Sequence, residues 1–163
     1  MAKSFRMRHE AREWFSKIKK PTKDTPPINT DFDLYYLCLM MGLASKNKST
    51  PDPSHSADFV DRFVKQHERQ QNLIIGLLIQ AELSDKSLTL DDKNQAKKIL
   101  KDLIDPTNRF TSLTDDGMDK MNAYASGGFD YLQSKMPKPY FAEDFLIRYV
   151  EILKTEMDNN HNW

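Results

Sequence analysis

The sequence has only one cysteine, Cys38, among its 163 residues. A single cysteine can form neither an internal disulfide bond nor a thiolate metal cluster. Because Cys38 lies within an apolar run, we interpret it as a small buried hydrophobic residue rather than a reactive group.

The sequence also lacks an apolar stretch long enough to cross a bilayer, which takes about 20 residues. Residues 32–44 form a nearly continuous apolar run in which Asp33 is the one charged residue. A helix that is apolar on every side must be covered by other helices or by a partner. We therefore expect this run to form the centre of a helical domain. The charged N-terminus has no apolar segment of the kind found in secretory signals, which predicts a cytoplasmic protein without membrane contact.

Residue patterns that mark a reaction are missing as well. Neither a nucleophile elbow nor a phosphate-binding loop is present, since Gly127 and Gly128 are not followed by Lys-Ser or Lys-Thr. We interpret this glycine pair as a place where two helices approach closely or the chain bends. The four histidines are scattered and form no pair with metal-ligand spacing: His9, His55, His67 and His161. The sequence thus predicts no enzyme activity, no metal and no cofactor.

Charge of one sign is not in excess, because Lys+Arg and Asp+Glu number 24 each. This balance argues against a protein that binds nucleic acid over its whole surface. The charges are nevertheless unevenly distributed. Residues 1–27 hold eight basic and three acidic side chains, an excess of five positive charges, and the rest of the chain has an excess of five negative charges.

The apolar spacing predicts an all-α fold, a single domain over residues 1–163 made of six to seven helices with two buried apolar helices. Residues 1–20 are expected to contain a basic amphipathic helix, over about 4–19, and residues 21–30 a proline-rich connector. Thr30 or Asp31 is suited to cap the central helix.

The later part of the chain predicts further helices. Residues 73–79 are apolar on nearly every side; a buried strand is an alternative, but the good helix formers at 80–83 continue the segment and favour a second buried helix. Thr114 is expected to cap another helix, which the glycine pair interrupts or kinks. A last helix begins near Ala142. No convincing alternating strand pattern is present.

The basic N-terminal segment is the best candidate for contact with a charged partner. Its side chains suit an acidic protein surface or DNA phosphates, although a solvated helix face would have the same composition. Tyr124 and Phe129, beside the glycine pair, are weaker candidates for contact. The six candidate cations are Arg6, Arg8, Arg12, Lys17, Lys19 and Lys20.

Three segments in order, residues 30–44, 73–83 and 121–132 followed by 143–146, carry a resemblance. They resemble small accessory proteins encoded beside bacterial DNA phosphorothioation (dnd-type) and related phage-defence genes. The resemblance implies a bacterial cytoplasmic component that acts with larger DNA-processing proteins. It implies no catalytic residue, and the basic segment is longer than the family pattern.

These observations leave three hypotheses open. The first is a non-enzymatic accessory or adaptor subunit that docks onto a larger protein of a DNA-modification or anti-phage defence system. The eight methionines and many aromatic residues favour it, since such side chains are common at protein interfaces. The second is a small DNA-binding protein that uses the basic segment, and the third is a homo-oligomeric structural protein.

Overall fold

The computed structural model describes residues 2–19 and 28–160. These residues form mainly helices, as predicted, but the fold is not strictly all-α because it also contains a two-stranded antiparallel sheet. The strands are β1 (Phe5–Arg8) and β2 (Ser56–Val60). The α-helices are α1 (His9–Trp14), α2 (Asp31–Ser45), α3 (Gln71–Asp85), α4 (Lys93–Leu103), α5 (Asp115–Lys135) and α6 (Ala142–Asn159).

The prediction of a helix over residues 4–19 is wrong at both ends, because its first part forms strand β1 and the helix itself ends at Trp14. Phe5 and Met7 are buried, whereas Arg6 and Arg8 between and after them are partly exposed, which is the period of two that a strand requires. Strand β2, far along the chain, supplies the partner backbone groups. A four-residue alternation is too short to stand out in the sequence, and the helical spacing of the following residues obscured it. Helix α1 follows β1 directly.

Helix α2 is the apolar run of the sequence and lies at the centre of the fold, as predicted. Its N-terminus carries a reciprocal capping box: the Asp33 amide donates to Thr30 Oγ1 at 3.2 Å, and the Thr30 amide donates to the Asp33 carboxylate at 2.9 Å. Every residue of α2 is buried or partly buried. It packs against α3, α5 and α6.

Helix α5 is the second central helix, and its residues 121–129 are all buried. It runs without interruption through the glycine pair, in which Gly128 allows close approach to α2 and Gly127 lies against the backbone of Asn47. A Cβ atom on Gly128 would lie 1.8 Å from the Cys38 carbonyl oxygen, and one on Gly42 would lie 1.9 Å from the Tyr124 carbonyl oxygen. The two helix backbones are therefore in direct contact where they cross, and any larger residue there would force them apart.

Helix α3 confirms that residues 73–83 are helical rather than a strand. It is buried on one side only: Ile74 and Leu78 face the core, whereas Leu73 is 61% exposed. The prediction of two buried apolar helices thus holds for α2 and is wrong for the outer side of α3; the second central helix is α5, which also carries charged residues at its ends. The sequence overestimated the burial of α3 because apolar residues continue onto its outer side.

Helices α4 and α6 lie on the outside of the fold. Helix α4 packs Ala96, Ile99 and Leu103 against the end of α3. Helix α6, which begins at Ala142 as predicted, buries Phe145 and Tyr149. Among the described residues, no helix is both long and apolar enough to cross a membrane.

Part of the predicted connector lies outside the described residues. This applies to residues 21–27 with their three prolines, and also to Lys20 and His161. Ile28, close to the end of the connector, is buried in the core.

Candidate interaction surfaces

The two N-terminal arginines that were expected to contact a partner bind carboxylates of the same molecule. Arg6 Nε donates to Asp58 Oδ1 at 2.8 Å. Arg8 forms ion pairs with Asp130 and, at 2.6 Å, with Glu10. Burial lowers the pKa of the Arg8 guanidinium, but the bonds to these carboxylates outweigh it, and the pKa is raised above its ordinary value. Both side chains thus fasten the N-terminal strand to the rest of the fold.

Two more of the candidate cations share one carboxylate. The Asp31 side chain lies 3.2 Å from the Arg12 guanidinium and 2.6 Å from Lys19 Nζ. Lys17 is exposed and has no carboxylate within 4.0 Å among the described residues. Lys20 lies outside the described residues. Of the five candidates that the structure describes, Lys17 alone has no carboxylate partner among the described residues, and the other four form ion pairs within the fold.

Tyr124 and Phe129 are wrong as contact residues, since each is only 1% exposed. Both belong to the part of α5 that crosses α2. The Phe129 ring packs edge-to-face on Trp14, with centroids 5.7 Å apart, and the Arg8 guanidinium lies 5.0 Å from the Phe129 centroid. Their place beside the glycine pair puts them at the closest helix contact in the core rather than at a surface.

A buried carboxylate, Glu82, is held between α3 and α5. It is 2% exposed and accepts hydrogen bonds from the Tyr124 hydroxyl at 3.0 Å and from Lys48 Nζ at 3.1 Å. Lys120 Nζ lies 3.8 Å from its other oxygen. Burial, together with the charge and hydrogen bond of Glu82, raises the pKa of Tyr124 well above its ordinary value. The carboxylate is thus enclosed by its own partners, which indicates a structural role.

A cleft of about 640 Å³ opens beside this cluster. Its cations already have carboxylate partners: Lys3 pairs with Asp119, Arg6 pairs with Asp58, and Lys48 binds Glu82. An anionic ligand would have to break these pairs to bind. The remaining walls carry Asp116 and Lys120, whose Nζ lies 3.8 Å from Glu82, together with small polar and proline side chains such as Ser4 and Pro51.

Groups suited to metal binding or nucleophilic catalysis do not converge in the described residues. No three His, Cys, Asp or Glu side chains there lie close enough to hold a metal ion. Cys38 is buried, as predicted, and burial raises the pKa of its thiol, which keeps it protonated and a poor nucleophile.

Ser54, His55 and Asp52 are close together but do not have the geometry of a catalytic triad. Ser54 Oγ and Asp52 Oδ2 both contact the same ring nitrogen, His55 Nδ1, at 2.9 and 3.0 Å. A triad requires the nucleophile and the carboxylate on opposite ring nitrogens. The three residues instead form a hydrogen-bonded turn on the surface, where the His55 side chain is 80% exposed.

Helix α4 presents a basic face that the sequence analysis missed. Its inner side is apolar, and its outward side carries four exposed lysines with no carboxylate within 4.0 Å among the described residues. Two leucines at this surface are also exposed, Leu90 at 66% and Leu100 at 36%. The signal in the sequence was the spacing of four residues, which places side chains on one face of a helix. The lysines are Lys93, Lys97, Lys98 and Lys101.

The outer side of α6 carries several large exposed apolar side chains. Ile147 is 63% exposed, Val150 44% and Met157 50%. Tyr140 and Phe141, just before the helix, are 63% and 70% exposed. Apolar side chains gathered in this way mark a surface suited to protein contact.

Comparison with known proteins adds no relative to these observations. No protein-family profile matches the chain, and searches of the curated proteins and of the solved structures find no significant match.

Proposed function

We propose that the protein is a non-enzymatic accessory subunit that docks onto a larger, acidic protein through the outward face of α4. The observation that carries the proposal is the contrast between the two basic segments. Four lysines of α4 have no carboxylate partner among the described residues, whereas four of the five described N-terminal candidates are ion-paired. Free charges steer association and select a partner of opposite charge.

The surroundings of the lysines favour a protein over a nucleic acid. Leu90 and Leu100 offer apolar contact area, which phosphate groups do not use. Asp91 and Asp92 precede the helix and Asp102 lies near its end, so a partner must place neutral or basic groups beside its acidic ones, which a uniformly charged phosphate backbone does not. A protein surface with acidic and apolar side chains complements this mixture.

The setting of the proposal comes from the resemblance to accessory proteins of DNA phosphorothioation and related phage-defence systems. In that setting the larger partner is a bacterial DNA-modification or anti-phage defence protein. The adaptor contributes a rigid helical body, and α4 supplies the contact.

DNA binding is the second candidate, and the same four lysines favour it. Three of them, Lys93, Lys97 and Lys101, lie along one face over about 12 Å of helix, close enough to contact successive phosphates. Titration with duplex DNA separates the two candidates. Micromolar affinity at about 0.15 M salt that falls steeply as salt is added would favour DNA. Weak binding at every salt concentration agrees with the protein partner.

The test of the adaptor proposal begins with a photo-crosslinking residue at Lys97 in the native host. The captured protein is then purified, and its affinity is measured for the wild type and for K97E/K101E. We expect charge reversal to weaken binding at least tenfold and added salt to weaken wild-type binding. Equal affinity of the two proteins would contradict the proposal.

A matched control is K65E/K135E, which reverses two exposed lysines outside α4 and outside the stripe of α6. It makes the same change in net charge as K97E/K101E. We expect it to leave the affinity within about twofold of the wild type, since long-range charge effects are largely screened at physiological salt. A loss equal to that of K97E/K101E would show that net charge, rather than the α4 face, determines binding.

A further inference from the structure

The outward side of α6 carries a stripe with a regular and symmetric order of residue types. Starting at Glu143, it reads acidic, apolar, apolar, basic, with spacings of four, three and four residues: Glu143, Ile147, Val150 and Lys154. Alternation of three and four residues keeps these side chains on one face of a helix and is the spacing of a coiled-coil seam. All four are exposed.

Reversal of the helix direction turns this stripe into its own complement. When two copies lie antiparallel with Ile147 opposite Val150 of the partner subunit, Glu143 comes opposite Lys154 of the partner subunit. The same alignment brings the end that carries Tyr140 and Phe141 against the end that carries Met157. A two-fold symmetric interface requires this property, since every contact in it must occur twice.

We infer that α6 is a self-association surface on which a second copy of the chain binds in this antiparallel register. In this register the apolar residues of the two copies meet in the middle, and residues of opposite charge meet at both ends. A parallel pair would place Glu143 against Glu143 of the partner subunit and Lys154 against Lys154 of the partner subunit, and both contacts repel. Neither Glu143 nor Lys154 forms an ion pair within the described residues.

The size of the surface sets the strength of the association. From Tyr140 to Met157 the seam is about 25 Å long, and a helix is roughly 10 Å wide. A stable interface buries about 800 Å² on each partner, so this seam corresponds to a weak, concentration-dependent dimer. The inference does not depend on the docking of α4, because α4 contributes nothing to the seam.

Sedimentation equilibrium of the full chain from about 1 μM to about 0.5 mM tests the inference over the range expected of a weak interface. We expect the mass of the wild type to rise from monomer to dimer. I147R should remain monomeric up to a concentration at least tenfold above the one at which the wild type dimerises. L73R, which changes an equally exposed residue of α3, is the matched control and should dimerise like the wild type. A monomer throughout the range, or a dimer that I147R does not affect, would overturn the inference.

Charge swaps at the two ends of the stripe test the register. E143K and K154E should each dimerise at least fivefold more weakly than the wild type, since each variant alone brings like charges together. When the two variants are mixed in equal amounts, opposite charges face each other at both ends, so the heterodimer should form in preference to either homodimer. Failure of the mixture to associate better than its components would show that the copies do not pair in this register. Circular dichroism establishes that each variant remains folded.

Discussion

The inner pair of helices, α2 and α5, and the outer pair, α4 and α6, use apolar residues for different purposes. At the α2–α5 crossing the backbones touch, and Gly42 and Gly128 have no space for a methyl group. On the outer helices, large apolar side chains such as Leu100 and Ile147 remain in solvent. The difference separates two roles: the inner pair forms the core, whereas the outer pair leaves apolar side chains exposed, and the docking and self-association that we propose would use them.

This comparison predicts its largest effect at the inner crossing. Gly128→Ala should destabilise the protein by about 3 kcal/mol or more, because the new Cβ would overlap the Cys38 carbonyl group and force the two helices apart. Thermal or urea unfolding measures the loss. Gly76→Ala is the matched control: nothing lies within 4 Å of a Cβ there, so the higher helix propensity of alanine should stabilise the protein by about 0.5–1 kcal/mol. Equal stabilities of the two variants would contradict the tight crossing.

A smaller effect is expected at Glu82, the buried carboxylate held between α3 and the inner helix α5. Glu82→Gln keeps the shape and the bond from Tyr124, but it removes the charge that pairs with Lys48. We expect a loss of about 2 kcal/mol in the free energy of unfolding. Asp85→Asn removes the more exposed partner of the same lysine, and its cost should stay below about 1 kcal/mol. A larger loss of stability in Asp85→Asn than in Glu82→Gln would show that Glu82 is not the main partner of Lys48.

The cap of α2 predicts a dependence of stability on pH. Burial alone would raise the pKa of Asp33, but hydrogen bonds from His67, from the backbone and from Thr30 outweigh it and lower the pKa. A carboxylate whose pKa is lowered in the folded state stabilises the fold when the pH is above its pKa in the unfolded chain, about 3.9. This contribution is lost as the pH falls through the pKa of the folded state.

Asp33→Asn removes this titrating group and its charged hydrogen bonds, at a cost of about 1 kcal/mol at pH 7. The difference in unfolding free energy between wild type and variant should be smaller at about pH 3 than at about pH 5, because the carboxylate becomes protonated over that range. Urea unfolding at a series of pH values provides the comparison. A difference that stays constant down to pH 3 would show that the cap does not depend on the ionised carboxylate.

The smallest effect on stability is expected at the outer lysines. K97E/K101E should change the free energy of unfolding by no more than about 0.5 kcal/mol, because both side chains are exposed and have no carboxylate partner in the described fold. Urea unfolding at pH 7 checks this. A larger loss would mean that these lysines support the fold, and the reduced binding expected of this variant could not be attributed to a lost contact.

The parts of this fold that depend on local pattern could be predicted from the sequence. The apolar run gave α2 its position, Thr30 and Thr114 cap the helices as expected, and Ala142 begins the last helix. Strand β1 could not be predicted in the same way, since its hydrogen-bond partner β2 lies about fifty residues away in the chain. Burial of α5 was also hidden, because it depends on which helix the glycine pair meets.

The candidate contact residues show the same limit. The excess of positive charge near the N-terminus is visible in the sequence, but its neutralisation depends on acidic residues brought close by folding, such as Asp58 and Asp130. The lysines of α4 lie within residues 91–105, where four lysines are balanced by four aspartates, so this part of the sequence has no net charge. Counting charges along a chain therefore does not locate the charges that remain available at the surface.

The most direct test is to measure the affinity of the captured partner for two alanine variants. One lacks the four lysines of α4, and the other lacks Lys17, the N-terminal candidate that has no carboxylate partner among the described residues. The account predicts that the α4 variant binds at least tenfold more weakly, while Lys17→Ala binds like the wild type. Unchanged affinity of the α4 variant, with binding lost in Lys17→Ala, would contradict it.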